Sequence, residues 1–255
     1  MIAHMEEKNT QLEHSFAHNK KEIKISTPIA IIIGSLLIGI FILTGFFLAG
    51  KNKTTETSFV DPDSIFSGRE FKKDEVLVGD LKSKVVIVEY SDLECPFCKQ
   101  LHLQTMLKIE DKYKNDVAFV YRHFPLSFHP LAVKEAEGAL CVREQNQSNY
   151  KKFIDKIFEV TPANNKLDPN ELTKAAAELG TDMTKWNNCM ESSTYANYVQ
   201  EDIEDGLAAG VNATPNLFVL IEQEDGYYKI LTKIEGARDE KYISRVLDQA
   251  IRIAK

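Results

Sequence analysis

The chain has 255 residues, with 31 Lys and Arg against 38 Asp and Glu and a formal charge of −7. No basic tract stands out, which argues against a nucleic-acid partner, because neutralising phosphates needs clustered Lys and Arg. Four cysteines leave two options: thiols or metal ligands in a reducing compartment, disulfides in an oxidising one.

Residues 1–28 are polar, and Ile29 to Gly50 carries no charge. At about 1.5 Å per residue this apolar run spans roughly 33 Å, enough for a hydrocarbon core of about 30 Å. A cleavable signal peptide would usually have a shorter apolar region and a small-x-small site. This run ends Phe46-Phe47-Leu48-Ala49-Gly50. The reading is an uncleaved transmembrane anchor over 29–50, which would place the chain in the cell membrane with a single pass. Lys20, Lys21 and Lys24 precede the span and Lys51 and Lys53 follow it, so the positive-inside bias favours a cytoplasmic N-terminus only weakly. The cysteine chemistry points to an extracytoplasmic C-terminal part.

Residues 51–75 are rich in Lys, Thr, Ser, Asp and Glu and read as a tether. A domain over 76–255 follows. Val85 to Tyr90 predicts a buried strand. Leu101, Met106, Ile109 and Tyr113 mark a helix to about Asn115, and Val117 to His123 the next strand, giving β-α-β. A helical block over about 130–210 then interrupts the strands. Tyr150, Phe153, Ile154, Ile157 and Phe158 follow helical spacing. Asp168-Pro169-Asn170-Glu171 is a helix start and Gly180 a stop. Trp186 and Met190 suit a short helix, and Tyr198 to Ala209 another. Strands resume at Asn216 to Ile221. Asp225-Gly226 turns the chain into Tyr227 to Ile234, and Ile243, Val246, Leu247, Ala250 and Ile251 line a final helix.

Cys95-Pro96-Phe97-Cys98 carries the chemistry. A thiolate, not a thiol, attacks a disulfide. Cys95 stands at the start of a predicted helix, where unpaired N–H groups stabilise a negative sulfur, and Pro96 suits the first helical position. Cys98, about one turn later, is placed to resolve a mixed disulfide at Cys95. Cys-x₂-Cys is also a zinc spacing, but zinc usually needs a second short-spaced pair, and Cys141 and Cys189 stand alone. No metal site is expected, and no flavin or nicotinamide motif is visible, so no bound cofactor is expected.

The strand followed by Cys-Pro-x-Cys, the acidic Glu89 six positions before Cys95, and Thr214-Pro215 just before the strand Asn216-Leu217-Phe218-Val219 resemble the thioredoxin superfamily. The helical block makes the resemblance one to DsbA-like thiol oxidases, over roughly 76–255. It implies a thioredoxin-like α/β fold with a helical insertion, here preceded by one N-terminal transmembrane helix. It also implies that Glu89 is a buried proton relay for Cys98, and that Thr214 and a cis Pro215 border Cys95 and bind substrate backbone. Pro96 and Phe97 form the dipeptide that tunes the thiolate. Pro-Phe lacks the imidazole of oxidising relatives, which leaves a strongly oxidising potential open. Cys141 and Cys189 would form a second, structural disulfide or remain buried thiols.

The resulting expectation is an extracytoplasmic thiol:disulfide oxidoreductase. Its substrates would be unfolded or reduced secreted or membrane proteins. Its reoxidant would be a quinone-linked membrane thiol oxidase of the DsbB or vitamin-K-epoxide-reductase-like type. A reductase or isomerase on the same fold, and a non-catalytic tethered binding or chaperone module, are the alternatives. His123 and His129 read as solvated or satisfied loop residues, with a place bordering the active-site face as the alternative. Leu126, Phe128 and Leu131 read as packing for the insertion or as part of an apolar groove.

Overall fold

The computed structural model describes residues 66–255. Its strands are β1 (Val76–Val78), β2 (Val85–Ser91), β3 (Val117–His123), β4 (Asn216–Glu222) and β5 (Tyr228–Glu235). They form one sheet in the order β1-β3-β2-β4-β5. β2 is central, parallel to β3 and antiparallel to β4, and all seven of its residues are buried. A strand covered on both faces needs apolar side chains at every position, hence the run Val85-Val86-Ile87-Val88. Alternation then sends Val85 and Ile87 into a core with Leu101, Ile109 and Leu247. Val86, Val88 and Tyr90 go to the opposite core with Phe66 and Phe218.

Between β2 and β3 run α1 (Pro96–Leu101), a π-helical turn (His102–Met106) and α2 (Leu107–Tyr113). The single helix expected here is therefore interrupted. A π turn admits an extra residue, and His102, Thr105 and Met106 all face inward. The insertion consists of α3 (Ala132–Gln145), α4 (Gln147–Val160), α5 (Pro169–Glu178), α6 (Met183–Glu191) and α7 (Ala196–Ala208). α8 (Glu240–Ile253) closes the chain against the β2 face. Side chains of Asn146, Asp168, Asp182 and Asp239 cap α4, α5, α6 and α8, satisfying first-turn N–H groups that would otherwise lack partners. Cys141 of α3 and Cys189 of α6 are joined by a disulfide, with Cα atoms 6.0 Å apart.

Residues 66–75, read from the sequence as the end of a tether, are packed. Phe66 is buried and its N–H donates to the Tyr228 carbonyl at 2.9 Å. Arg69 pairs with Glu75 and Asp202. Arg122, fully buried on β3, pairs with Glu75 at 3.2 Å and Asp205 at 2.5 Å. Tyr90 donates to the same Asp205 at 2.5 Å. Within the polar stretch that suggested a tether, Arg69 and Glu75 instead belong to a buried ionic network.

The fold class stands as α/β with a helical insertion, but its membrane part is corrected. The segments 1–28, 29–50 and most of 51–75 lie outside the described residues. Among the described residues no helix is long and apolar enough to cross a membrane. The 14-residue helices α3, α4 and α8 reach about 21 Å at 1.5 Å per residue, short of a core of about 30 Å. The membrane anchor, the membrane contact through 29–50, and the single-pass placement with a cytoplasmic N-terminus are accordingly withdrawn.

Candidate active site

Cys95 is the N-cap of α1, with extended backbone (φ −78°, ψ 122°) and Pro96 at the first helical position. The proline places no N–H where one would lack a partner. Cys98 follows on the first turn and is wholly buried, whereas Cys95 is 3% exposed. Both are free thiols. The Cys95 thiol donates to the Thr214 carbonyl at 3.5 Å, and the Thr214–Pro215 bond is cis. The Asp92 N–H donates to Cys98 Sγ, also at 3.5 Å. The Cys98 thiol pulls the Cys95 pKa down to about 6; the Thr214 side chain and the N–H groups of Cys98 and Phe97 add to this, against the opposing effect of burial. Burial pushes Cys98 well above the usual thiol range, and the Cys95 sulfur beside it adds to the rise. One sulfur is thus set to be ionised at neutral pH and the other to hold its proton.

Glu89 lies on the α1–α2 face of β2 and is buried. Burial raises its pKa to about 7, opposed by His102. Two residues along the same face, the Ser91 hydroxyl lies close enough to both Glu89 and Cys98 to favour their ionised forms. Tyr121, opposite Glu89 in the β2–β3 register, is raised well above its usual range by burial and the Glu89 charge. Glu89 Oε1, Ser91 Oγ, Tyr121 OH and Thr214 Oγ1 are buried without a well-formed hydrogen bond. This polar pocket runs from Cys98 to Glu89. Beyond it, His102 Nε2 meets Asp155 at 2.8 Å and Lys151 pairs with Glu110 at 3.0 Å.

The structure brings Cys95, Cys98, Glu89, Thr214 and Pro215 to one region and leaves Phe97 59% exposed beside it. The Cys141–Cys189 bond lies in the insertion. Neither histidine is solvated. His123 is buried against the Tyr150 hydroxyl at 3.0 Å, and burial lowers its pKa to about 3. His129 Nδ1 meets Asp92 at 2.8 Å. Leu126 packs into the sheet core, whereas Phe128 is 66% exposed. Ser91, Asp92, Glu94 and Tyr121 were not singled out from the sequence. The period of two was the available signal for Ser91, since i and i+2 share a strand face. Among the described residues no group of three or more His, Cys, Asp and Glu is arranged to hold a metal ion.

A family model described as thioredoxin matches residues 72–227, well over half of the chain. The chain belongs to the thioredoxin family. Among solved structures, this thioredoxin relative superposes on Wolbachia pipientis alpha-DsbA1 with a TM-score of 0.63 at 24% identity, covering 72% of this chain and 94% of that one. For Pseudomonas aeruginosa DsbA2 the values are 0.59 and 26%, covering 71% and 96%. For BdbD from Bacillus subtilis they are 0.61 and 21%, covering 74% and 99%. The sequence is also 31% identical over 144 residues to a Na⁺/H⁺ antiporter, NhaA 1, of Mycolicibacterium vanbaalenii, covering 55% of this chain. The chain spans 22% of that antiporter's length, about a fifth. The fold and the spacing of the two cysteines are those of a DsbA-like thiol:disulfide oxidoreductase of the thioredoxin superfamily.

Proposed function

We propose that this protein forms disulfides in reduced protein substrates in an oxidising compartment, through the Cys95–Cys98 pair. The observation that carries this reading is the placement of the two sulfurs: Cys95 at the N-terminus of α1 against the Thr214 carbonyl at 3.5 Å, and Cys98 wholly buried on the first turn, which favours a thiolate at Cys95 and a thiol at Cys98. A stabilised thiolate makes Cys95 the better leaving group and stabilises the reduced protein, which drives oxidation of the substrate.

The oxidised pair is attacked at Cys95 Sγ by a substrate thiolate. The Cys95–Cys98 bond breaks, its electron pair goes to Cys98, and a mixed disulfide forms. Cys98 takes up a proton through the pocket that holds Ser91 and Glu89. A second substrate thiolate attacks the substrate sulfur and releases Cys95 as a thiolate. The substrate is oxidised by two electrons and the pair reduced by two. Thr214 and Pro215 border the attacked sulfur and would guide the substrate backbone, with Phe97 as an apolar contact. A quinone-linked membrane thiol oxidase is the class of partner that would return the pair to the disulfide. A persistent Cys141–Cys189 bond fits an oxidising compartment. A lowered Cys95 pKa favours a potential above that of thioredoxin, about −270 mV.

The test uses the full chain with Cys98→Ala and a reduced cysteine-containing protein mixed with oxidised glutathione. A mixed disulfide at Cys95 should accumulate, and Cys95→Ala should give none. Absence of any adduct at Cys95 would show that the pair does not turn over. A wild-type potential at or below about −270 mV would instead favour a reductase.

A further inference from the structure

A buried acidic pair lies behind the active-site loop. Glu94, the residue before Cys95, is 0% exposed, and Glu135 on α3 is 1% exposed. Among the described residues neither has an ion-pair partner, and both oxygens of Glu135 and Oε1 of Glu94 lack a conventional donor. Their carboxyl groups are within hydrogen-bonding reach of each other. Two bare carboxylates have no proton to share, so the contact is a bond only when the pair holds one. The other side of Glu94 is occupied by the α4–α5 loop. There Ala163, Asn164 and Asn165 have φ of 62°, 55° and 62°. This left-handed run turns successive N–H groups to one side, an arrangement that binds anions. Asn164 N–H donates to the Glu94 carbonyl at 2.8 Å, and the N–H groups of Asn165 and Lys166 donate to Glu94 Oε2.

Resting on the proposed exchange reaction, we infer that Glu94 and Glu135 share one proton and together act as positioning residues for Cys95. Glu135 donates to the Glu94 carboxylate, which in turn holds the left-handed loop, so the helical insertion fixes where the nucleophile stands. The charged groups facing Glu135 are Glu94 and Asp92 of the β2–α1 loop. Asp92 is bonded in turn by His129 of the β3–α3 loop. The α4–α5 loop presents backbone N–H groups to Glu94. Burial, then the bond to Glu94, raises the Glu135 pKa to about 10.

The test compares Glu135→Gln, Glu135→Leu and the wild-type full chain. Gln keeps a donor without a titratable proton. Unfolded Glu135 loses its proton at about pH 4.3, whereas the fold keeps it to about pH 10, so this group lowers stability as pH rises between the two. Glu135→Gln should therefore melt above wild type at pH 8 and match it near pH 4. It should also keep the exchange rate that Glu135→Leu loses by about tenfold, the effect of losing a hydrogen bond to a charged acceptor. A lower melting temperature for Glu135→Gln at pH 8, above all one that chelator reproduces in wild type, would mean two ionised carboxylates around a cation and would overturn the shared proton. Equal exchange rates for all three would overturn the positioning role. An inert wild type would instead count against the exchange reaction itself.

Discussion

At the scale of single residues, the site works by setting neighbouring groups apart in acidity. Glu89 remains protonated in the fold to about 7 because burial disfavours its charge. In the unfolded chain it ionises near about 4.3. Between those values the unfolded chain sheds a proton that the folded one retains, so folding stability declines with rising pH. Glu89→Gln should then gain on the order of 3 kcal/mol over wild type at pH 8 and nothing at pH 4, by urea unfolding of the reduced protein. A loss at pH 8 would mean that Glu89 is ionised and paired. Cys95 and Cys98 were legible from their local spacing, and Glu89 and Thr214-Pro215 through the resemblance to the thioredoxin superfamily. Tyr121 and Glu135 were hidden because their roles come from cross-strand register and from a helix 40 positions downstream of Cys95. Glu94, adjacent to Cys95, carries no local signal of burial; its setting comes from Glu135 and the loop around Asn165.

Among elements, legibility followed amphipathicity. α4 and α8 bury one face, and the sequence shows it in Tyr150, Phe153, Ile157 and in Ile243, Leu247, Ala250. α3 is buried continuously from Glu135 to Arg143. A helix surrounded by protein has no single apolar stripe, and its Glu and Arg at buried positions mask it further. The π turn was equally invisible, since no residue pattern announces one extra residue in a helix. The bond from α3 to α6 closes a loop of 48 residues. On the loop-entropy argument, replacing Cys141 and Cys189 together by Ser should cost about 4 kcal/mol. The loss should appear as a lower urea midpoint with α3 and α6 least protected from amide exchange. Because Glu135 stands on the same helix as Cys141, the exchange rate at Cys95 should fall as well.

For the molecule as a whole, the sequence conveyed the order of the elements from Val85 onward because strand Val85–Tyr90, the insertion and the hairpin each have local signatures, but it missed the three-residue edge strand Val76–Val78, too short to show a period. It misplaced where folding begins. Phe66 to Glu75 reads as solvated tether by composition, yet Arg69 and Glu75 complete the network around Arg122 beneath the sheet. A buried ion that loses partners costs about 3–5 kcal/mol, far more than a surface pair. Glu75→Ala should therefore destabilise the protein by about 3 kcal/mol in urea, whereas Lys72→Ala, whose pair with Glu201 is exposed, should cost under about 1 kcal/mol. Similar losses for both would show that the network is not a buried one.

The same network decides how far the chain can be trimmed from its front. Starting a fragment at Val76, where the first strand begins, strips away Arg69 and Glu75 and leaves the buried Arg122 guanidinium with Asp205 and Tyr90 but without its second carboxylate. Cutting just ahead of Phe66 spares every one of those partners, so a fragment meant for crystallisation belongs there.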